Sequence, residues 1–113
     1  MNIVRKDYEI IMDNTFNISI ELEGCKINIE EIYFTIKKCN KNVVVQKRLN
    51  NGISFKNNII LIKVEPELTY DLKEDLEYMY DVKIIYNGKC DKETILYGYI
   101  KTKKFVTLPE DEV

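Results

Sequence analysis

The sequence predicts an all-β fold, an antiparallel sandwich of roughly seven to eight short strands. Three observations lead there. Apolar and polar residues alternate with period two in segment after segment. Alanine, the best helix former, is missing from all 113 residues, while β-branched and aromatic residues dominate. Turn residues recur at roughly 8–12-residue spacing, as expected for sandwich strands. Such strands must hide two sets of apolar faces, and packing one sheet on another does so. A closed barrel is the competing arrangement.

The segments follow in order. A strand is expected around Tyr8 to Met12. Phe16, Ile18, Ile20 and Leu22 then alternate with Asn17, Ser19 and Glu21, and Glu23-Gly24 ends that run. Ile32, Phe34 and Ile36 alternate with Tyr33, Thr35 and Lys37. Asn40-Lys41-Asn42 separates this strand from Val43–Arg48. Asn50-Asn51-Gly52 precedes a short strand at Ile53–Phe55, and Asn57-Asn58 turns the chain into Ile59–Val64. Pro66 stands at a plausible first helical position, and Leu68, Leu72 and Leu76 are spaced by four. At most one short helical turn near residues 66–72 is expected, crossing from one sheet to the other. In the final strand Leu96, Gly98 and Ile100 share one face, and Tyr97, Tyr99 and Lys101 the other.

The stretch Leu72–Tyr86, LKEDLEYMYDVKIIY, is the most diagnostic. Tyr78, Tyr80, Val82, Ile84 and Tyr86 recur with period two, and Asp81 and Lys83 fall between them. A tyrosine opening such a strand, after a charged connection bounded by leucines, resembles the tyrosine corner of Ig-like sandwiches. The predicted fold is thus an Ig-like antiparallel β-sandwich. Residues 1–107 form its single domain, and 108–113 form an acidic flexible tail. Tyr78, Tyr80, Phe16 and Phe34 are the expected fold determinants.

Composition narrows the chemistry. A chain this long buries roughly 65% of its unfolded surface, enough for one core. The 17 basic and 19 acidic residues leave a net charge of −2, which gives no reason to expect nucleic-acid binding. No apolar run approaches the roughly 20 residues of a membrane helix, so no membrane partner is expected. The first residues lack a signal-peptide pattern, which points to synthesis and folding in a cytoplasm. Histidine is absent, so imidazole bases and the usual triads are excluded. Cys25, Cys39 and Cys90 show no CxxC spacing and are expected to be reduced thiols. No metal site, cofactor, catalytic residue or small-molecule substrate is expected.

Some residues invite sharper readings. Asp71, Glu74, Asp75, Glu77 and Asp81 cluster, but no spacing matches a cation loop, and a solvated connection explains them. Glu30 and Glu31 are adjacent, so they point to opposite sides of a strand and cannot form a hydrolytic pair. Lys37, Lys38, Lys41, Lys47 and Arg48 form one basic region, and Lys101, Lys103 and Lys104 another; edge protection accounts for both. Tyr33, Tyr97 and Tyr99 are placed on an outer face, where they form a candidate interaction surface. Contact with protein is favoured, and a carbohydrate-binding or adhesive module using these tyrosines is the alternative.

Between Asp13 and Val106 the chain resembles small Ig-like modules of bacteriophage tail and baseplate proteins, most closely the N-terminal domain of baseplate upper proteins. The resemblance lies in Asp13-Asn14-Thr15 before an alternating strand, in Asn28–Lys38, in Ile60–Thr69 followed by Leu72, in Tyr78–Ile84 and in Leu96–Ile100. Glu77 stands where the family has a glycine before the corner tyrosine. The resemblance implies a non-enzymatic structural protein of a tail, baseplate or neck. Its partners would be other virion proteins or further copies of itself. Its location would be the virion, after synthesis in the bacterial cytoplasm.

The cysteine reading is open to a direct test. Reductant is expected to leave the melting temperature unchanged; a drop of several degrees would reveal a stabilising disulfide.

Overall fold

A computed structural model describes residues 3–22, 28–38, 42–73, 76–87, 91–107 and 109–112. The expectations for Cys25, Cys39 and Cys90, for Glu74 and Asp75, and for the Glu23-Gly24 and Asn40-Lys41 turns lie outside the described residues.

The chain forms β1 (Val4–Arg5), β2 (Tyr8–Ile11), β3 (Phe16–Glu21), β4 (Ile29–Lys38), β5 (Asn42–Leu49), β6 (Gly52–Lys56), β7 (Ile59–Val64), α1 (Pro66–Tyr70), β8 (Tyr78–Tyr86) and β9 (Lys92–Lys103). A single 3-10 turn follows at Pro109–Asp111. The strands form one hydrogen-bonded sheet in the order β1/β2-β9-β8-β4-β5-β6-β7-β3. It is curled into two layers, β1/β2-β9-β8-β4-β5 and β6-β7-β3, whose buried faces share one core. The layers are joined where the chain leaves β5 for β6, a link of only two residue pairs, Arg48 with Gly52 and Leu49 with Ile53. The shortest dimension of the molecule, 19 Å, is that of two stacked sheets.

Pairing is antiparallel except at that link and at the N-terminus. β1 and β2 both run parallel to β9, interrupted at Lys6-Asp7. They are two halves of one edge strand, which brings the count to the expected eight. The reason for the break is local. A Cβ on Gly98 would lie 2.1 Å from the Lys6 carbonyl oxygen, so only glycine lets the N-terminal backbone approach β9 here. Asp7 Oδ1 then accepts a bond from the Tyr99 N–H at 3.0 Å.

The alternation read from the sequence is the alternation of burial. Ile32, Phe34 and Ile36 of β4 and Val82 and Ile84 of β8 are fully buried, and they share one core with Ile18, Ile53, Ile60 and Ile62 of the opposite layer. Phe16 is half-buried, its ring edge-on to Tyr8 with centroids 5.3 Å apart. Asn57 and Asn58 both take positive φ (54° and 63°) between paired Lys56 and Ile59, the two-residue turn that favours asparagine.

At the crossing from β5 to β6, Gly52 has φ +93°. A Cβ there would meet the Lys47 side chain at 2.4 Å. This places Lys47 outside the basic region assigned from sequence. Its register partner is the inward Phe34, so its stem runs along the core edge and its ammonium reaches Glu65 at 2.7 Å. Among the described residues of that region, Lys37, Lys38 and Arg48 remain exposed.

α1 carries the chain from the smaller layer to the larger. Pro66 stands in its first turn, and the buried Thr69 hydroxyl donates to the Asn14 carbonyl at 2.7 Å. Leu72 is buried beyond it. Then comes the corner: the Lys73 N–H donates to the hydroxyl of buried Tyr78 at 2.7 Å. Glu77 in place of glycine does not prevent that bond, because Glu77 lies exposed and points away from the core.

Replacing Tyr78 by alanine is expected to cost about 3–5 kcal/mol. Tyr78→Phe keeps the ring and strands the Lys73 amide, at a cost of about 1 kcal/mol. Urea unfolding measures both, and a loss under about 1 kcal/mol for the alanine variant would contradict a core role for the ring. Gly98→Ala is expected to lose about 1–3 kcal/mol by overpacking, with new proteolytic cleavage near Lys6; unchanged protease resistance would contradict the close approach.

Candidate interaction surface

The outward residues of β4, β5, β8 and β9 line up in cross-strand rows. Tyr99, Met79, Lys37 and Val43 form one row, and Tyr97, Asp81, Thr35 and Gln46 the next. The third holds Thr94, Lys83, Tyr33 and Arg48. Period-two alternation puts most of them there: the residues flanking Tyr33, Thr35, Met79, Asp81, Lys83, Tyr97 and Tyr99 on their strands are buried. All three candidate tyrosines therefore share one sheet face. Tyr97 and Tyr99 are each 41% exposed and Met79 43%; Tyr33 is half-buried.

They do not form one continuous aromatic platform. β8 lies between Tyr33 on β4 and the β9 pair, about 10 Å across at strand spacing. Met79, Asp81 and Lys83 fill that gap. Two of the rings are also occupied. The Arg48 guanidinium sits 5.2 Å from the Tyr33 ring centre, and Arg5 sits 5.3 Å from that of Tyr99. Arg5 also lies 3.5 Å from Asp7, which accepts the Tyr99 N–H, so both residues tie the N-terminal strand to Tyr99. A shallow trough of about 560 Å³ runs along the β5 side, over Tyr33, Thr35, Lys37, Gln46, Asp81 and Lys83.

Glu31 positions one end of the face. Burial alone would raise its carboxyl, but bonds from the Leu49 and Ile32 N–H groups and from Arg48 outweigh that and hold it below the usual range. The Leu49 bond is 2.9 Å and the Arg48 bond 3.1 Å. Glu31 thus fixes both the end of β5 and the arginine above Tyr33. The sequence reading took the adjacent Glu30 and Glu31 together and missed this clamp, whose only signal is that Glu31 shares a face with Tyr33.

Asp81 is the second residue that sequence alone places only in part. It reads both as a wet-face residue of the Tyr78–Tyr86 strand and as part of a solvated acidic connection; it lies on that strand, half-buried at the centre of the face between Thr35 and Tyr97. Its position in the period-two run of β8 was the available signal. Burial pushes its carboxyl up, and Lys83 and Lys37 pull it back only in part. Asp71 and Glu77 of the same cluster are exposed in the connection, as expected. Chemically, the surface offers aromatic, thioether and cationic groups around one desolvated carboxylate, a pattern suited to recognition.

No protein-family model and no curated protein matches the sequence. Among solved structures the chain is similar to the BTLA ectodomain, with 15% identity over 90% of this chain and 95% of that one and a TM-score of 0.52. It is also similar to the extracellular domains of the voltage-gated sodium channel β4 subunit, described as parallel homodimers that explain a role in cell–cell adhesion. There the identity is 9% over 96% and 92% of the two chains, with a TM-score of 0.47. The first likeness shows the fold: this chain is an all-β, Ig-like sandwich.

Asp81→Asn is expected to melt higher than the parent protein at neutral pH. A raised folded-state value means that the ionised carboxylate costs the fold stability. That cost is present in full above the folded value and gone below the ordinary aspartate value of about 3.9. The gap between the two proteins should therefore close as the pH falls toward that value. Glu31 and Glu65, held low, act with the opposite sign and are common to both proteins. A variant less stable than the parent at neutral pH would contradict this account of Asp81.

Proposed function

We propose that this chain is a non-enzymatic Ig-like structural module that acts through protein–protein contacts in a multi-copy assembly. A phage tail, baseplate or neck is the assembly to which its sequence resemblance points. The observation that carries the reading is the outer face of the larger sheet. Tyr97, Tyr99 and Met79 stand exposed there among Arg5 and Arg48. Tyrosine, methionine and arginine are the residues enriched in protein interfaces, and tyrosine and arginine most often dominate their energetics.

The carbohydrate reading fits this face less well. Stacking on a sugar requires a free ring face, and arginines already cover Tyr33 and Tyr99. The remaining exposed ring, Tyr97, lies beside the Asp81 carboxylate. Near-neutral net charge also suits close packing of many copies, since it limits mutual repulsion.

The test is immunolabelling of purified native particles followed by negative-stain microscopy. Label at a fixed position on the tail, baseplate or neck is expected. Complementing particles with a Tyr97→Ala, Tyr99→Ala double variant is expected to lower incorporation at least tenfold, about 1.4 kcal/mol of contact energy. Absence of the protein from particles would overturn the virion reading, and full incorporation of the double variant would overturn the role of this face.

A further inference from the structure

The second contact surface lies on the other layer, at the open edge of β3. Among the described residues β3 pairs with β7 alone. The Leu22 N–H donates to the Asn58 carbonyl at 2.8 Å, which orients the backbone at the end of β3 toward β7. Backbone groups alternate in direction along a strand, so those of Phe16, Ile18 and Ile20 also face β7. The N–H and C=O groups of Asn17, Ser19 and Glu21 then point to the open side.

Natural edges are normally blunted by lysine, proline, bulges or a covering segment. Among the described residues β3 has none of these: Phe16–Glu21 contains no lysine and no proline, and its register with β7 is unbroken. Its exposed side chains are short and polar, apart from Glu21.

We infer that β3 is a self-pairing edge, joining a second copy of this chain antiparallel about a two-fold axis at Ser19. In that register Ser19 meets the partner's Ser19, and both backbone groups of each are satisfied. Asn17 lies opposite the partner's Glu21, and its carboxamide can donate to that carboxylate. The single charge of the strand therefore never meets its own kind, and Lys63, beside Asn17 on β7, lies one strand further along the same row. The two smaller layers become one continuous sheet with an isologous interface. The contact uses no residue of the tyrosine face, so the two surfaces can be engaged together and tested separately.

Sedimentation velocity on the full chain over a concentration series tests this, with Ser19→Lys as the variant. Ser19 is exposed, so the variant is expected to keep the parent circular dichroism spectrum and melting temperature. The parent is expected to dimerise reversibly, and Ser19→Lys, which sets two ammonium groups together on the axis, to stay monomeric. The register is tested by mild oxidation in a background with Cys25, Cys39 and Cys90 replaced by serine. Ser19→Cys is expected to give a covalent dimer, because directly opposed residues of such a pair have Cα atoms about 5.5 Å apart, within disulfide reach. Glu21→Cys is expected to give none. A parent that stays monomeric, a dimer that survives Ser19→Lys, or equal cross-linking at both positions would overturn the proposal.

Discussion

Two tyrosine hydroxyls on β8 hold the ends of this fold. Tyr78 and Tyr80 are 2% and 4% exposed, so neither hydroxyl can go unpaired without a penalty. Tyr78 accepts from the Lys73 amide and fixes the connection that enters β8. Tyr80 donates to the Lys6 carbonyl and fixes the N-terminal strand against β9, beside Gly98. Burial, with Tyr8 and Asp7 nearby, pushes the Tyr80 phenol well above its ordinary value, so it stays a donor across the whole physiological range. In antibody domains the position two residues after the corner tyrosine is a cysteine, bridged to the other sheet beneath a tryptophan. Here Tyr80 takes that place, with the Phe34 ring 5.9 Å away and Tyr8 edge-on at 5.5 Å. The cluster reaches the other layer through Tyr8, whose ring meets Phe16 of β3 edge-on at 5.3 Å.

This arrangement connects the core to the surface. β8 is the middle strand of the larger layer, with β4 on one side and β9 on the other. Its inward residues lock the sandwich, and its outward residues, Met79, Asp81 and Lys83, form the centre of the recognition face. The same tie that holds Lys6 also brings Arg5 over Tyr99. Core packing thereby pre-orients surface side chains that would otherwise be free, which lowers the entropic cost of binding.

Much of this was legible before the structure. Period two located β3, β4, β8 and the later part of β9, because those strands have one wet face, as β4 shows in Ile32, Phe34 and Ile36 against Tyr33, Thr35 and Lys37. β5 and β7 were marked by their flanking asparagine turns. The Asn57-Asn58 turn was legible because asparagine tolerates positive φ. What stayed hidden depends on partners distant in sequence. Lys47 reads as a surface cation, and only its register opposite Phe34 turns it toward Glu65. Asp81 reads as a wet-face residue of its strand and as one of a solvated acidic cluster, yet pairing with Thr35 and Tyr97 half-buries it. The arginines stacked on Tyr33 and Tyr99 come from β5 and β1, and no local pattern announces such contacts. The parallel seating of the N-terminal strand rests on Gly98, some ninety positions along the chain.

The most direct measurement is site-resolved amide hydrogen exchange on the native protein. The Lys73 N–H, on an exposed residue, donates to the buried Tyr78 hydroxyl. That amide is expected to exchange as slowly as those at the centre of β4 and β8, opening only with global unfolding. Exchange of Lys73 at the rate of an exposed loop would show that the corner is not closed, and that the fold is held some other way.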